Sequence, residues 1–175
     1  MLVLAGIVVA VVVVLSLGGD DGDAPPAPAA RTVAVPGLGL AFSHPASWKR
    51  EIDRRVIRLR SPDGSATLTF ASPIAGREPA RVTEALRSAL RRALAPARVI
   101  GEGPGKLGNR DVTSFEVRGR ARGKTVRALG IVDSTPYRTY TVTVLTPARP
   151  SRMRLQEVRA ILQTVRLTEP VRSRR

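Results

Sequence analysis

Cysteine is absent from the 175-residue chain. That excludes disulfides, thiolate nucleophiles, thiolate metal sites and attachment through a lipid-modified N-terminal cysteine, and it leaves packing as the source of stability. Aromatic residues make up only 3% of the chain, with one tryptophan, two tyrosines and three phenylalanines. Large rings bury the most area per residue, so a domain this short of them centres its core on the few it has. One stretch, Phe42-Ser43-His44-Pro45-Ala46-Ser47-Trp48, holds the only tryptophan, the only histidine and one of the phenylalanines. Phe42, Pro45 and Trp48 are therefore expected to form a structural corner on which the rest is built.

The scarcity of histidine also restricts chemistry. Nucleophilic catalysis needs an activated nucleophile beside a base, and His44 has no partner in the sequence, so it reads as a structural residue. Glu51, Asp53 and Asp63 lie among Arg50, Arg54 and Arg55, where ion pairing on a solvated face accounts for them. The glycine-rich stretch 103–108 lacks the Gly-Lys-Ser/Thr ending of a phosphate-binding loop and the helix that follows one, and reads as a hairpin turn. The expectation is a non-enzymatic protein with no catalytic residue, cofactor or metal.

Negative charge is short too. The formal net charge is +15 and the pI about 11.7. Lys49, Lys106 and Lys124 are the only lysines, so arginine carries nearly all of the positive charge in a chain also rich in alanine, proline and glycine. That composition matches a bias toward GC-rich codons as well as a polyanion partner, and only the clustering of the arginines separates the two.

Against these absences stands one long apolar run. Residues 1–17, from Met1 to the Leu17 that precedes Gly18-Gly19, contain no charge. As a helix the run reaches about 26 Å against a hydrocarbon core of about 30 Å, so it spans with slight bilayer thinning. No basic residue precedes it and a small-residue cleavage site close behind it is lacking, which favours an uncleaved anchor over a signal peptide. An N-terminal anchor followed by one hydrophilic domain sets that domain outside, giving a single-pass, extracytoplasmic protein of the cell membrane. Residues 18–30 hold Asp20, Asp21 and Asp23 and then a Pro/Ala-rich segment, the composition of a semi-stiff stalk. Residues 31–168 read as one domain and 169–175 as a basic tail.

Within the domain the hydrophobic period changes several times. Short alternating strands are expected over 32–35, 38–42, 55–60 and 66–70, with Ile57, Leu59, Leu68 and Phe70 sharing one face. Val82, Leu86, Leu90 and Leu94 then recur every fourth residue, predicting a helix over 79–94 that Pro96 stops. Further strands are expected over 97–101, 111–120, 124–134 and 138–146. A closing helix over 150–163 is expected to turn Met153, Leu155, Val158, Ile161 and Leu162 inward, with an edge strand over 165–167. Hairpin-length links make the sheet antiparallel. The fold class is α+β, an antiparallel sheet flanked by two amphipathic helices.

The spacing Phe42-x-x-Pro45-x-x-Trp48, followed by hairpin, helix, meander and helix, resembles the PsbP-like superfamily over about residues 31–167. That resemblance implies an α/β/α sandwich and no shared chemistry. The metal- or chloride-binding motif of the photosynthetic member is missing, and no Ran-binding surface carries over from the import factor of that group.

One feature suggests a binding role. Arg118, Arg120 and Arg122 alternate along one predicted strand, with Lys124 just past the turn. Such a ribbon suits anionic lipid headgroups or an anionic polymer, and equally suits an edge that discourages strand-to-strand aggregation. Nucleic acid is not expected, because the aromatic platforms of single-strand binders are missing. The sequence therefore points to an accessory domain that binds an envelope protein, with anionic lipid or polyanion binding through the arginine hairpin as the alternative.

Overall fold

The computed structural model describes residues 29–53, 55–72 and 78–168. The expected anchor over 1–17, most of the stalk, Arg54 and the basic tail over 169–175 lie outside the described residues. No helix among the described residues is long and apolar enough to cross a membrane.

The elements run β1 (Ala30–Val35), a 3-10 turn (Pro36–Leu38), β2 (Leu40–Pro45), β3 (Lys49–Asp53), β4 (Val56–Arg60), β5 (Thr67–Ala71), α1 (Pro79–Ala93), β6 (Arg98–Leu107), β7 (Arg110–Ala121), β8 (Lys124–Ser134), β9 (Thr139–Pro147), α2 (Arg152–Gln163) and β10 (Arg166–Leu167). The single antiparallel sheet expected from the sequence resolves into two. A small sheet has the order β1-β2-β10, and a large one the order β3-β4-β5-β9-β8-β7-β6. Every pairing is antiparallel.

Alternation along the strands divides the core between the two faces of the large sheet. On one face Phe115, Val117 and Ala128 meet Leu90 and Leu94 of α1. On the other, Ile57, Leu59, Leu68, Phe70, Ile131, Val142 and Val144 meet the small sheet and Val158, Ile161 and Leu162 of α2. The helices thus cover opposite faces, as a sandwich requires, with the small sheet inserted on the side of α2. At Gly130 an added Cβ would stand 2.4 Å from the Phe115 ring, so the glycine makes room for that ring.

Three expectations need correction. Strand β3 was not foreseen, because all five of its residues are exposed and it shows no buried alternation. The glycine-rich stretch is not a turn: β6 runs straight through Gly101, Gly103, Pro104 and Gly105, and the turn is confined to Gly108 and Asn109. An edge strand tolerates glycine and proline because one side of its backbone has no ladder to maintain. Finally, Met153 and Leu155 of α2 are exposed at 60% and 36%, while Arg154 between them is buried at 4%. The inward stripe is Arg154, Val158, Ile161, Leu162 and Val165, which keeps the helical spacing but begins with a cation.

Candidate anion-binding surface

The apolar cover of the large sheet ends partway along β7 and β8. Near the β6–β7 turn, Val112 and Ile131 pack under the small sheet and α2. Farther along the same face alternation sets Glu116, Arg118 and Arg120 on β7 and Arg127 and Thr125 on β8, in register with one another. Arg98 of β6 pairs directly with Arg118, and Arg118 pairs directly with Arg127. Three arginines therefore stand in one row across three strands, with about 5 Å between the Cβ atoms of directly opposed residues.

Only one member of the row has a carboxylate. Arg127 makes a bidentate pair with Glu116, through Nε to Oε1 and through Nη2 to Oε2 at 2.6 Å. That hydrogen bonding holds the Arg127 guanidinium more firmly protonated than an ordinary arginine. Among the described residues Arg98 and Arg118 have no ion pair, and the Arg120 guanidinium donates only to the Gly123 carbonyl, at 3.3 Å. Like charges directly opposite one another in a ladder are unfavourable, so this arrangement is not one that fold stability selects.

The connection from α1 to β6 closes one side. Arg120 N donates to the Leu94 carbonyl at 2.8 Å. Residues 94–97 lie directly on Gly119, where a Cβ would meet Leu94 O at 2.2 Å and the Ala97 Cβ at 2.9 Å, so only glycine admits the chain there. The result is an open depression of about 290 Å³ lined by Pro96, Ala97, Arg98, Arg118, Gly119, Arg120 and Thr125. A second, of about 380 Å³, lies around the end of α1 and is lined by Ser88, Arg91, Arg92, Ala95 and Ala97. The two share Ala97, so the positive charge continues from the sheet face around to the helix end.

The four sequence candidates divide. Arg118 and Arg120 share the open face. Arg122 sits in the β7–β8 turn with φ 49°, and is not the third member of a strand face. Lys124 pairs with Ala121 and so belongs to the face that α1 covers. Arg98 and Arg127 were missed, since their proximity to Arg118 depends on strand register, and β6 reaches Arg98 past an irregularity between Val99 and Gly101.

The corner is built as a separate unit. Phe42 and Trp48 are buried at 1% and 3%, and Phe42 stacks on Phe70 with centroids 4.8 Å apart. The Pro45 carbonyl is shared by His44 Nδ1 at 2.8 Å and Trp48 N at 3.0 Å. Trp48 Nε1 donates to Glu157 Oε2 at 3.2 Å, and the Arg154 guanidinium lies over the indole at 5.5 Å. Arg154 also pairs with Glu157 and, at 3.0 Å, with Asp63 Oδ2. Asp63 is held well below the usual carboxylate range by the Ser61 hydroxyl, then by the backbone N–H and hydroxyl of Ser65, with Arg154 adding to them. His44 is buried with no hydrogen-bond partner on Nε2. Among the described residues no group of His, Asp and Glu is arranged to hold a metal ion.

No known family profile matches the sequence, and no curated protein matches it. The fold is similar to several solved ones. A protein of Bacteroides thetaiotaomicron VPI-5482 gives a TM-score of 0.56 at 14% identity over 79% of this chain, which spans about half, 48%, of that protein. Cyanobacterial PsbP of Synechocystis sp. PCC 6803 gives 0.55 at 12% identity, over 88% of this chain and 99% of its own. LpqN of Mycobacterium tuberculosis, involved in cell envelope biogenesis, gives 0.51 at 14% identity, over 81% and 91%. The chain has a PsbP-like fold, as the Phe42, Pro45 and Trp48 spacing implied. At these identities the likeness is one of fold.

Proposed function

We propose that this chain is a non-enzymatic accessory module of the cell envelope, tethered by residues 1–17 with its domain on the extracytoplasmic side, that binds an envelope protein through the open face of β6, β7 and β8. The observation that carries the reading is the row Arg98, Arg118 and Arg127, two of whose members have no carboxylate among the described residues. A surface that accepts like-charge repulsion in the free protein gains most when an acidic partner covers it. His44 is buried with Nδ1 on the Pro45 carbonyl, so the lone imidazole is not offered to a substrate. The PsbP-like fold, which an envelope-biogenesis protein of Mycobacterium tuberculosis also has, is compatible with such a role.

The test is site-specific photocrosslinking in native membranes, with the reactive residue at Thr125 on the arginine face and, as reference, at Ile52 on β3. A discrete protein adduct from position 125 alone supports the reading; no adduct, or the same adducts from both positions, removes it.

A second observation favours anionic lipid headgroups. Lys49 lies in the cross-sheet row Lys49, Arg60, Thr67, Leu145, Ala128 and Val117, one residue from the row of Arg118. Trp48 precedes it, and Ala29 O accepts from Ala46 N beside it, so the chain enters the domain at the arginine end of the strands. A tether at that end would bring the arginines toward the bilayer, where each basic residue near an anionic surface contributes about 1 kcal/mol. Lipid adducts from position 125 in the same experiment would select this reading over a protein partner.

A further inference from the structure

We propose that the depression bounded by Arg98, Arg118 and Arg120 is a binding site for a phosphoryl group. The inference rests on the arginine face being the working surface and names the chemistry it takes.

Elsewhere the fold matches buried and half-buried arginines with carboxylates: Arg110 with Asp133, Arg127 with Glu116, Arg87 with Glu84 and Glu102, Arg154 with Glu157 and Asp63. Arg98 and Arg118 stand directly opposite each other on β6 and β7 without one among the described residues. Arg120 follows two residues along β7 on the same face, about 7 Å from Arg118. All three line one depression, together with Pro96, Ala97, Gly119 and Thr125. From three such points arginine side chains are long enough to converge on one anion.

The ligand class follows from the geometry of the donors. A guanidinium offers paired N–H groups in a rigid plane, and each pair matches two oxygens of a carboxylate or a phosphate. A carboxylate has only two oxygens in one plane and is satisfied by one or two arginines. A terminal phosphoryl group has three outward oxygens and nearly two negative charges, so it can take donors from Arg98 on one strand and from Arg118 and Arg120 on the next. Arg127, fixed by Glu116 at the end of the row, contributes field without being consumed as a donor. No aromatic side chain lines the depression, so a nucleobase would find no ring to stack on. The site reads the phosphoryl group and leaves whatever bears it in solvent or at a surface.

Free phosphate and lipid headgroups share this chemistry, and one experiment separates them. The full chain is held in nonionic maltoside micelles, and its arginines are modified with phenylglyoxal and quantified by peptide mass spectrometry. One arm adds pyrophosphate or inorganic phosphate at constant ionic strength set with chloride; the other uses nanodiscs of phosphatidate against nanodiscs of phosphatidylcholine. The expected result is slower modification of Arg98, Arg118 and Arg120 in at least one arm, while Arg50, Arg81 and Arg91 react unchanged. Protection by free phosphates assigns a soluble or polymer-borne group, and protection only in phosphatidate discs assigns a headgroup. Arg118→Gln is expected to weaken the protection of Arg98 about tenfold, the loss of one charge-assisted bond pair. Protection in neither arm, or equal slowing of all surface arginines, overturns the phosphoryl site. The crosslinking at position 125 is independent of it: adducts there without arginine protection leave the contact module standing and remove only its ligand.

Discussion

Beside Trp48, Arg154 is 4% exposed and engages Glu157, Asp63 and the indole face; at the far side of the large sheet, Arg98 and Arg118 are exposed, opposed to each other and without a carboxylate among the described residues. The same side chain thus serves two purposes, and burial decides which. A guanidinium withdrawn from water must be given partners, because an unpaired buried charge is expensive. One left in water needs none, and its neighbours are free to be whatever the surface requires. The corner arginine belongs to the fold. The row belongs to whatever the surface meets.

The largest test of that contrast removes the corner cation. Arg154→Ala leaves Glu157, with its side chain only 17% exposed, facing Trp48 without its cation. Breaking a buried pair from one side is expected to lower unfolding free energy by about 3 kcal/mol, read as a shifted midpoint in urea at pH 7. A loss under about 1 kcal/mol would mean the corner network is as dispensable as an exposed ion pair, and the contrast would fail.

A smaller effect is expected where the chain packs behind the row. Gly119→Ala drives a Cβ into the Leu94 carbonyl at 2.2 Å, so residues 94–97 must lift away from β7. Overpacking of this kind is expected to cost about 2 kcal/mol. It should also abolish pyrophosphate protection of Arg98 without changing a charge, which ties the depression to this seat. Gly103→Ala on the neighbouring edge strand β6 is the control, since an added Cβ there meets nothing within 4 Å. Its thermal midpoint is expected to stay close to that of the parent.

Acid gives a gentler probe of the corner. In the folded state Asp63 titrates below its ordinary value of 3.8, chiefly because the Ser61 and Ser65 hydrogen bonds favour the carboxylate. A carboxyl whose folded pKa is depressed contributes stability that is fully present above the unfolded value and lost as pH falls below it. Stability should therefore decline below about pH 4 with a share that Asp63→Asn removes. Urea midpoints at pH 3 and pH 6 check this; an identical drop in parent and variant would show that Asp63 has no part in it.

Much of this fold could be read from period alone. Ile57, Leu59, Leu68 and Phe70 alternate as expected and are buried, and of the helical stripe Val82 is buried while Leu86, Leu90 and Leu94 lie against the sheet. Failures occurred where local pattern and tertiary role diverge. Arg154 occupies an inward helical position that a hydrophobic pattern assigns to Met153 or Leu155, because its partners Asp63 and Trp48 come from distant parts of the chain. Gly103, Pro104 and Gly105 look like turn residues and form an edge strand instead. The arginine face was half legible. Arg118 and Arg120 show their alternation in sequence, whereas Arg98 joins them only through cross-strand register, which no single stretch encodes.

The smallest expected effect is the one that best defines the row. Arg118→Gln removes the central charge from between Arg98 and Arg127, and no carboxylate among the described residues is left without its partner. Glu116 keeps Arg127 through the bidentate pair. Relief of two like-charge cross-strand neighbours favours the folded state, and loss of the packing of the arginine stem opposes it slightly. The net change in unfolding free energy is expected to lie within about 0.5 kcal/mol and to be stabilising at low salt, shrinking toward zero as salt screens the row. Urea midpoints at low and high sodium chloride measure both the size and the sign. A loss near that of Arg154→Ala would place Arg118 among the structural arginines, and the surface would then have no residue held in place for contact alone.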